Sequence, residues 1–241
     1  MDTRAQTADC VREERKRRKR EVALGYRVFA ALGWGDLGDG HISARDPERA
    51  DCFWLLDVDT PFGEASPGKL VLVKPDGSVE GGSGKTNLPA YYIHYPILSA
   101  RPDIASVAHT HTSYGTPFSA SATPFEPITQ EACIFHDDHA VFDDEEVQVQ
   151  SVDCGERIAR DLGRNRGIVL RNHGLLTVGA TVKHAVAWFV MMERVAEAHL
   201  KARDPKPISH NAALYAKADL TTDEYTNSVF DFLVGHHLRE H

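Results

Sequence analysis

The sequence predicts an α/β sandwich with a largely antiparallel or mixed sheet. Two observations carry this. Short apolar, strand-like runs interleave with segments of helical periodicity along the chain. Several of the strand-like runs are joined by turns too short to hold a crossover helix, so neighbouring strands must run antiparallel. A clean doubly wound sheet does not fit that spacing. No glycine-rich phosphate loop is read in the run Gly81-Gly82-Ser83-Gly84, which lacks the spacing of one, and no Gly-x-Ser-x-Gly elbow is present.

The elements follow in order. Residues 1–10 are expected to be loose. Residues 11–32 read as a helix, amphipathic through Val22, Tyr26, Phe29 and Ala30, and stopped near Gly33-Trp34-Gly35. Strands are expected over 41–45, 53–58 and 70–74. Pro75-Asp76-Gly77 forms a turn, because proline fixes one dihedral and glycine accepts the other. Residues 88–101 read as a helix ended by Arg101-Pro102-Asp103, and an apolar strand follows from Ile104. Residues 112–120 suit a short helix or turn, and 133–153 strands and loops. Residues 154–162 read as a helix that Gly163 can end. Strands at 168–170 and 175–178 bracket His173, a long helix covers 181–203 and a last helix 221–239. The expected organisation is one domain over 1–241, with an N-terminal arm (1–20) and a C-terminal helical extension (205–241).

Composition narrows the function. The chain has 241 residues, 42% hydrophobic and 26% charged, which is ordinary for a globular protein. No apolar run is long enough to span a bilayer, and the N-terminus is polar, so no membrane partner or signal peptide is expected. Cys10, Cys52, Cys133 and Cys154 show no close spacing and suit a reducing, cytoplasmic location. A net charge of −8 argues against a nucleic-acid partner. The basic run Arg15–Arg20, flanked by Glu13, Glu14 and Glu21, is read as a solvated helix turn or arm.

Three histidines carry the chemistry. His109 and His111 lie one residue apart at a strand end, so both can face one ion. His173, in Asn172-His173-Gly174 between two apolar runs, can supply a third imidazole. Three histidines with an open position are what a catalytic divalent metal requires. His136 and His139, a possible second pair, are read as an exposed polar loop, and His236, His237 and His241 as uninvolved.

Several further segments resemble the class II aldolase/adducin family. They are Gly40-His-Ile-Ser-Ala-Arg-Asp46, Asn87-Leu-Pro-Ala-Tyr-Tyr-Ile-His94, Ala100-Arg-Pro-Asp-Ile104, Val107-Ala-His-Thr-His-Thr112 and Asn172-His-Gly-Leu-Leu-Thr-Val-Gly179. The resemblance runs from about residue 20 to 205. It implies a three-layer α/β/α sandwich and a divalent metal on His109, His111 and His173, with zinc first and manganese or iron as alternatives. It also implies a C4 homotetramer with sites between subunits, acting on a small molecule.

The sequence departs from the sugar-phosphate aldolases of that family. Their acid/base glutamate falls at Ala90, their two phosphate-holding serines at Leu88 and Pro89, and the asparagine of their phosphate loop at His41. This resembles an adducin-like branch that includes a decarboxylase and distant iron-dependent oxygenases. Glu131, His94 and Tyr114 are candidate catalytic groups, with Tyr91 a further proton donor. His41, Ser43, Arg45, Asn87 and Gln130 are candidate substrate contacts. The expected function is a metal-dependent lyase performing aldol cleavage or decarboxylation through a metal-stabilised enolate, on a small hydroxy-ketone or a keto or hydroxy acid. The alternatives are a non-haem iron oxygenase and a non-catalytic assembly module.

Overall fold

A computed structural model describes residues 3–238. Among them, eight strands form one sheet in the order β4-β3-β2-β1-β5-β8-β7-β6. The strands are β1 (Gly40–Arg45), β2 (Phe53–Leu56), β3 (Leu70–Val73), β4 (Val79–Glu80), β5 (Ser106–Thr110), β6 (His139–Phe142), β7 (Gly167–Leu170) and β8 (Gly174–Gly179). Only β6 and β7 pair in parallel. The helices are α1 (Thr3–Ala31), α2 (Leu88–Ala100), α3 (Gly115–Ser119), α4 (Val152–Leu162), α5 (Val182–Lys201), α6 (His210–Leu220) and α7 (Asp223–His237). The expected largely antiparallel mixed sheet is what forms.

Helices cover both faces, giving three layers. One core joins α1, α5 and α7 to Ile42, Ala44 and Ala108. The other joins α2 and α4 to Phe53, Val71 and Val107. Alternation explains the split: Val107 and Ala108 are neighbours on β5 and point to opposite faces.

The N-terminal expectation is corrected. Residues 3–10 continue α1 and are not loose; residues 1 and 2 lie outside the described residues. Pairs one turn apart support the helix through its basic run: Lys16 with Glu13, Arg17 with Glu14 and Glu21, and Arg18 with Glu14. Arg15 reaches the buried Asp46 through two hydrogen bonds of 2.7 and 2.8 Å, and Lys19 stacks over Trp54 at 3.9 Å. This stretch is the solvated helix turn expected of it at Lys16 and Arg17, and Arg15 and Lys19 also fasten it to the sheet. Further along, β4 emerges where no element was expected, and the C-terminal helical extension consists of α6 and α7, of which α7 matches the helix expected over 221–239.

The α2–α4 layer is held by an unusual approach. Pro96 lies inside α2 and has no N–H to give the Tyr92 carbonyl. Gly155 of α4 sits against that carbonyl: a Cβ there would lie 1.8 Å from the Tyr92 oxygen and 2.8 Å from Pro96 Cγ. Glycine is what lets the helices approach this closely. Gly155→Ala is expected to destabilise the protein by about 1–3 kcal/mol or more, read as a fall in the urea midpoint at constant slope. An unchanged midpoint would refute the tight crossing.

Candidate metal centre

The centre forms where β1, β5 and β8 end. His109 is on β5, His111 one residue beyond it, and His173 in the turn before β8. Ring-to-ring separations are 5.4 Å for His109 and His111, 4.8 Å for His109 and His173, and 5.0 Å for His111 and His173. One nitrogen from each ring lies within 4.8 Å of the others. The turn is shaped by backbone that most residues avoid: Asn172 has φ +56° and Gly174 φ +152°.

The surroundings fit a divalent cation. His109 Nδ1 donates to the Leu175 carbonyl at 2.7 Å, which leaves Nε2 as the free lone pair. Asp39 Oδ2 faces His111 Nδ1 at 3.6 Å, while Asp39 Oδ1 is buried without a hydrogen-bond partner. A carboxylate oxygen left this way suits a neighbouring positive charge. Burial holds His109 well below the usual imidazole pKa, with the nearby histidines adding to the effect, and it lowers His173 to about 4. Both rings are therefore neutral, the form that ligates.

Beside the triad lies a buried string of side chains. His41 stands opposite His109 across the β1–β5 ladder. His41 Nδ1 meets His94 Nε2 at 2.7 Å, and His94 Nδ1 meets Ser43 Oγ at 2.6 Å. His94 comes from α2, and burial drives both imidazoles far below their usual range. His41 also lines the cavity of about 350 Å³ into which His109, His111 and His173 open. Asn87 and Pro89 contribute the α2 side of that cavity and Val147 to Val149 the opposite rim. Asn87 caps α2, accepting from the Ala90 N–H.

Other expected site residues are placed elsewhere. Arg45 is corrected: its guanidinium donates to the carbonyls of Ala50, Leu98, Arg101 and Ile104, tying β1 to the end of α2, and it does not line the cavity. Ser43 is fully buried behind His94 and also lies outside the cavity wall. Tyr91 donates to the Pro75 carbonyl. The Tyr114 hydroxyl accepts from Lys201 at 3.1 Å. Gln130 is exposed and Glu131 half-buried on a 3-10 turn (Glu131–Phe135) packed against α5 and α6, and neither lines this cavity. In the glycine run, Ser83 bonds Asp57 and Lys85 pairs with Asp59.

Two contributors escape sequence reading. Asp39 looks like any loop acid. Glu193 is a carboxylate on the buried face of α5; it accepts from the Thr112 hydroxyl and from the N–H groups of Tyr114 and Gly115 at 2.7–3.0 Å. It pins the chain directly after His111. Its only sequence signal is an acid where the helical period calls for an apolar residue.

Two outcomes follow from this geometry. Replacing His109, His111 or His173 by Ala should strip the bound divalent metal, read by metal analysis of protein purified without a histidine tag. Unchanged metal content in all three variants would sink the assignment. The second concerns pH in the metal-free chain. His41, His94 and His109 are buried and neutral when folded, whereas the unfolded chain protonates them below about pH 6.5. The unfolded state then binds more protons, so stability falls as pH drops from 6.5, by up to about 1.4 kcal/mol per pH unit per histidine. Urea midpoints that stay flat between pH 7 and pH 5 contradict this.

Known proteins resemble this chain in both sequence and fold. The family model described as Class II Aldolase and Adducin N-terminal domain matches residues 20–200. The chain is 40% identical over 196 residues to the 4-hydroxy-3-prenylphenylpyruvate oxygenase/4-hydroxy-3-prenylbenzoate synthase of Streptomyces roseochromogenus subsp. oscitans, covering 80% of this chain and 71% of that one. It is 41% identical over 197 residues to Decarboxylase NovR of Streptomyces niveus, covering 80% and 73%. Its structure is similar to an L-fuculose 1-phosphate aldolase from Glaciozyma antarctica PI12, with TM-score 0.84, 32% identity and coverage of 95% and 94%. The sheet order, the three convergent histidines and these matches together make this chain a member of the class II aldolase/adducin family.

Proposed function

We propose that this protein is a divalent-metal-dependent carbon–carbon lyase, which cleaves or decarboxylates a small unphosphorylated hydroxy-ketone or keto or hydroxy acid. One observation carries the reading: three imidazoles converge on a cavity whose helical wall begins Leu88-Pro89-Ala90. Ala90 cannot move a proton, and Leu88 and Pro89 offer no hydroxyl to a phosphate, which needs several donors or cations around it. A cavity of about 350 Å³ suits a small molecule. The names of two relatives support the class, one a decarboxylase and the other naming a phenylpyruvate, a 2-keto acid.

His109, His111 and His173 would hold the ion, zinc first and then manganese or iron. When bound, it supplies a Lewis acid for adjacent substrate oxygens. The chain's own part is to hold and move a proton. His41 Nδ1 is committed to His94, so Nε2 is the nitrogen His41 offers the cavity. When Ser43 donates to His94 Nδ1, His94 donates to His41, and His41 Nε2 carries a proton; the reverse order leaves Nε2 a lone pair. Carbon–carbon cleavage leaves an electron pair on carbon that must be protonated, and His41 Nε2 is placed to do so. Asn87 keeps its Nδ2 free to donate to substrate. Tyr114 and Glu131 as catalytic groups, and Gln130 as a substrate contact, would serve only across a subunit interface, so their roles rest on a homotetramer, which light scattering tests directly.

The oxygenase name of the 40% identical relative favours a second reading, in which iron and O2 cleave the same class of acid oxidatively.

The test is a panel of small acids, hydroxy-ketones and sugar phosphates with zinc, manganese and iron(II), while oxygen is monitored. Turnover of an unphosphorylated acid or hydroxy-ketone without oxygen uptake is expected; oxygen uptake with iron selects the second reading. Cleavage of fuculose 1-phosphate with kcat/KM above roughly 10⁴ M⁻¹s⁻¹ would falsify the proposal. His41→Ala should lower kcat by about 10²–10⁴-fold while the bound metal stays. An unaltered kcat removes His41 from the proton path.

A further inference from the structure

We propose a second divalent-cation site, formed by His136, Asp137 and His210, that fastens the C-terminal helices to the sheet. It is separate from the centre above and does not depend on the proposed reaction.

The three residues meet only in the folded chain. His136 ends the 3-10 turn Glu131–Phe135, Asp137 follows it, and His210 is the first residue of α6. His136 Nε2 lies 3.0 Å from His210 Nδ1. Asp137 Oδ2 lies 3.8 Å from the first nitrogen and 3.6 Å from the second. At 3.0 Å the two rings share a hydrogen bond, which a bound cation would replace. The carboxylate is too far from either ring for a hydrogen bond. Metal–ligand bonds of about 2.0–2.1 Å at tetrahedral angles place ligand atoms roughly 3.3 Å apart. One observed edge is shorter than that value and two are longer.

The neighbours hold the three groups in place. Asp138 is taken by Arg166 and by Lys217 of α6 at 2.7 and 3.0 Å, and Lys217 also donates to the His136 carbonyl. His139, the partner the sequence suggested for His136, is spent: it accepts from the Phe125 N–H and donates to the Phe135 carbonyl. The Ile208 N–H bonds the Pro127 carbonyl just before α6 begins. Asp137 sits at φ +52°, a left-handed conformation that aspartate tolerates better than most residues. The supporting bonds thus hold His136, Asp137 and His210 together without using their side-chain donor atoms.

The donor set names the ion class. Two imidazole nitrogens and one carboxylate oxygen suit zinc and its late first-row neighbours, whereas magnesium and calcium prefer all-oxygen sites. His210 is 61% and Asp137 64% exposed, so water completes the coordination. With two of its three donors this exposed, the role is a staple between α6 and the end of the sheet.

The experiment uses the tag-free full-length chain, stripped with chelator and titrated with Zn²⁺ alone. The triple variant H109A/H111A/H173A removes the first centre. It should still bind one zinc per chain, and its Tm should rise by a few degrees with zinc. Adding H210A to that background should weaken zinc binding at least tenfold and abolish the Tm rise; adding H236Q/H237Q should change neither. Equal zinc binding with and without H210A, or loss with H236Q/H237Q instead, overturns the site. If the triple variant does not fold, the wild-type chain is compared with H210A alone, a change at an exposed helix start. Two zinc ions falling to one supports the site, and an unchanged count overturns it. Because the first centre is absent or constant in each comparison, its own failure reads separately.

Discussion

The register of the ladder through β1, β5 and β8 is the constraint on which the rest depends. His41 stands opposite His109, and His109 in turn stands opposite Leu176. A slip of one residue would turn every side chain of a strand to the other face. His109 would then enter the layer occupied by α1 and α5, and Ala108 would face α2. The register is secured on both sides because β5 alternates between two buried cores, with Val107 in one and Ala108 in the other. Neither face could accept the slipped pattern. Gly40 adds a local lock, since a Cβ there would lie 2.4 Å from Thr110 Oγ1.

Three imidazoles, His41, His94 and His109, lie in a sheet-and-helix interior, which is costly unless each is neutral and bonded. The solution is mutual satisfaction. Ser43, His94 and His41 form one string, and His109 takes a backbone carbonyl. Charge is brought near but not into the cluster: Asp39 beside His111, and Glu193 under the chain that follows it. Burial raises the Glu193 carboxyl above its usual range, against hydrogen bonds from Thr112, Tyr114 and Gly115 that favour the charged form. The polar residues of the centre are therefore also structural, which couples the integrity of the site to that of the fold.

Much of this was legible beforehand. Apolar runs gave the strand positions to within a residue or two, and His-x-His beside Asn-His-Gly named the three histidines that converge. Where the reading failed, long-range pairing was responsible. The basic run at Arg15 reads as a solvated helix turn or arm, yet Asp46, 31 residues away, is the buried partner of Arg15. Arg45 looked available for substrate because it alternates with Ala44 on a strand, but four carbonyls from other segments take its guanidinium. Residues 210–220 carry no strong amphipathic stripe, so within the expected helical extension the bounds of α6 come from its packing on the 3-10 turn at Glu131.

The sequence by itself determined the local periods, the strand and helix positions those periods impose, and the chemistry of the donors at the sheet end. Each of these depends on neighbours within a few residues. Tertiary structure alone decided which polar groups are free and which are spent. His94 and His41 became partners across 53 residues, and His136 found His210 and not His139. A side chain's hydrogen-bonding and ligating capacity is fixed by its type, but what consumes that capacity is whatever the folded chain brings within about 3 Å.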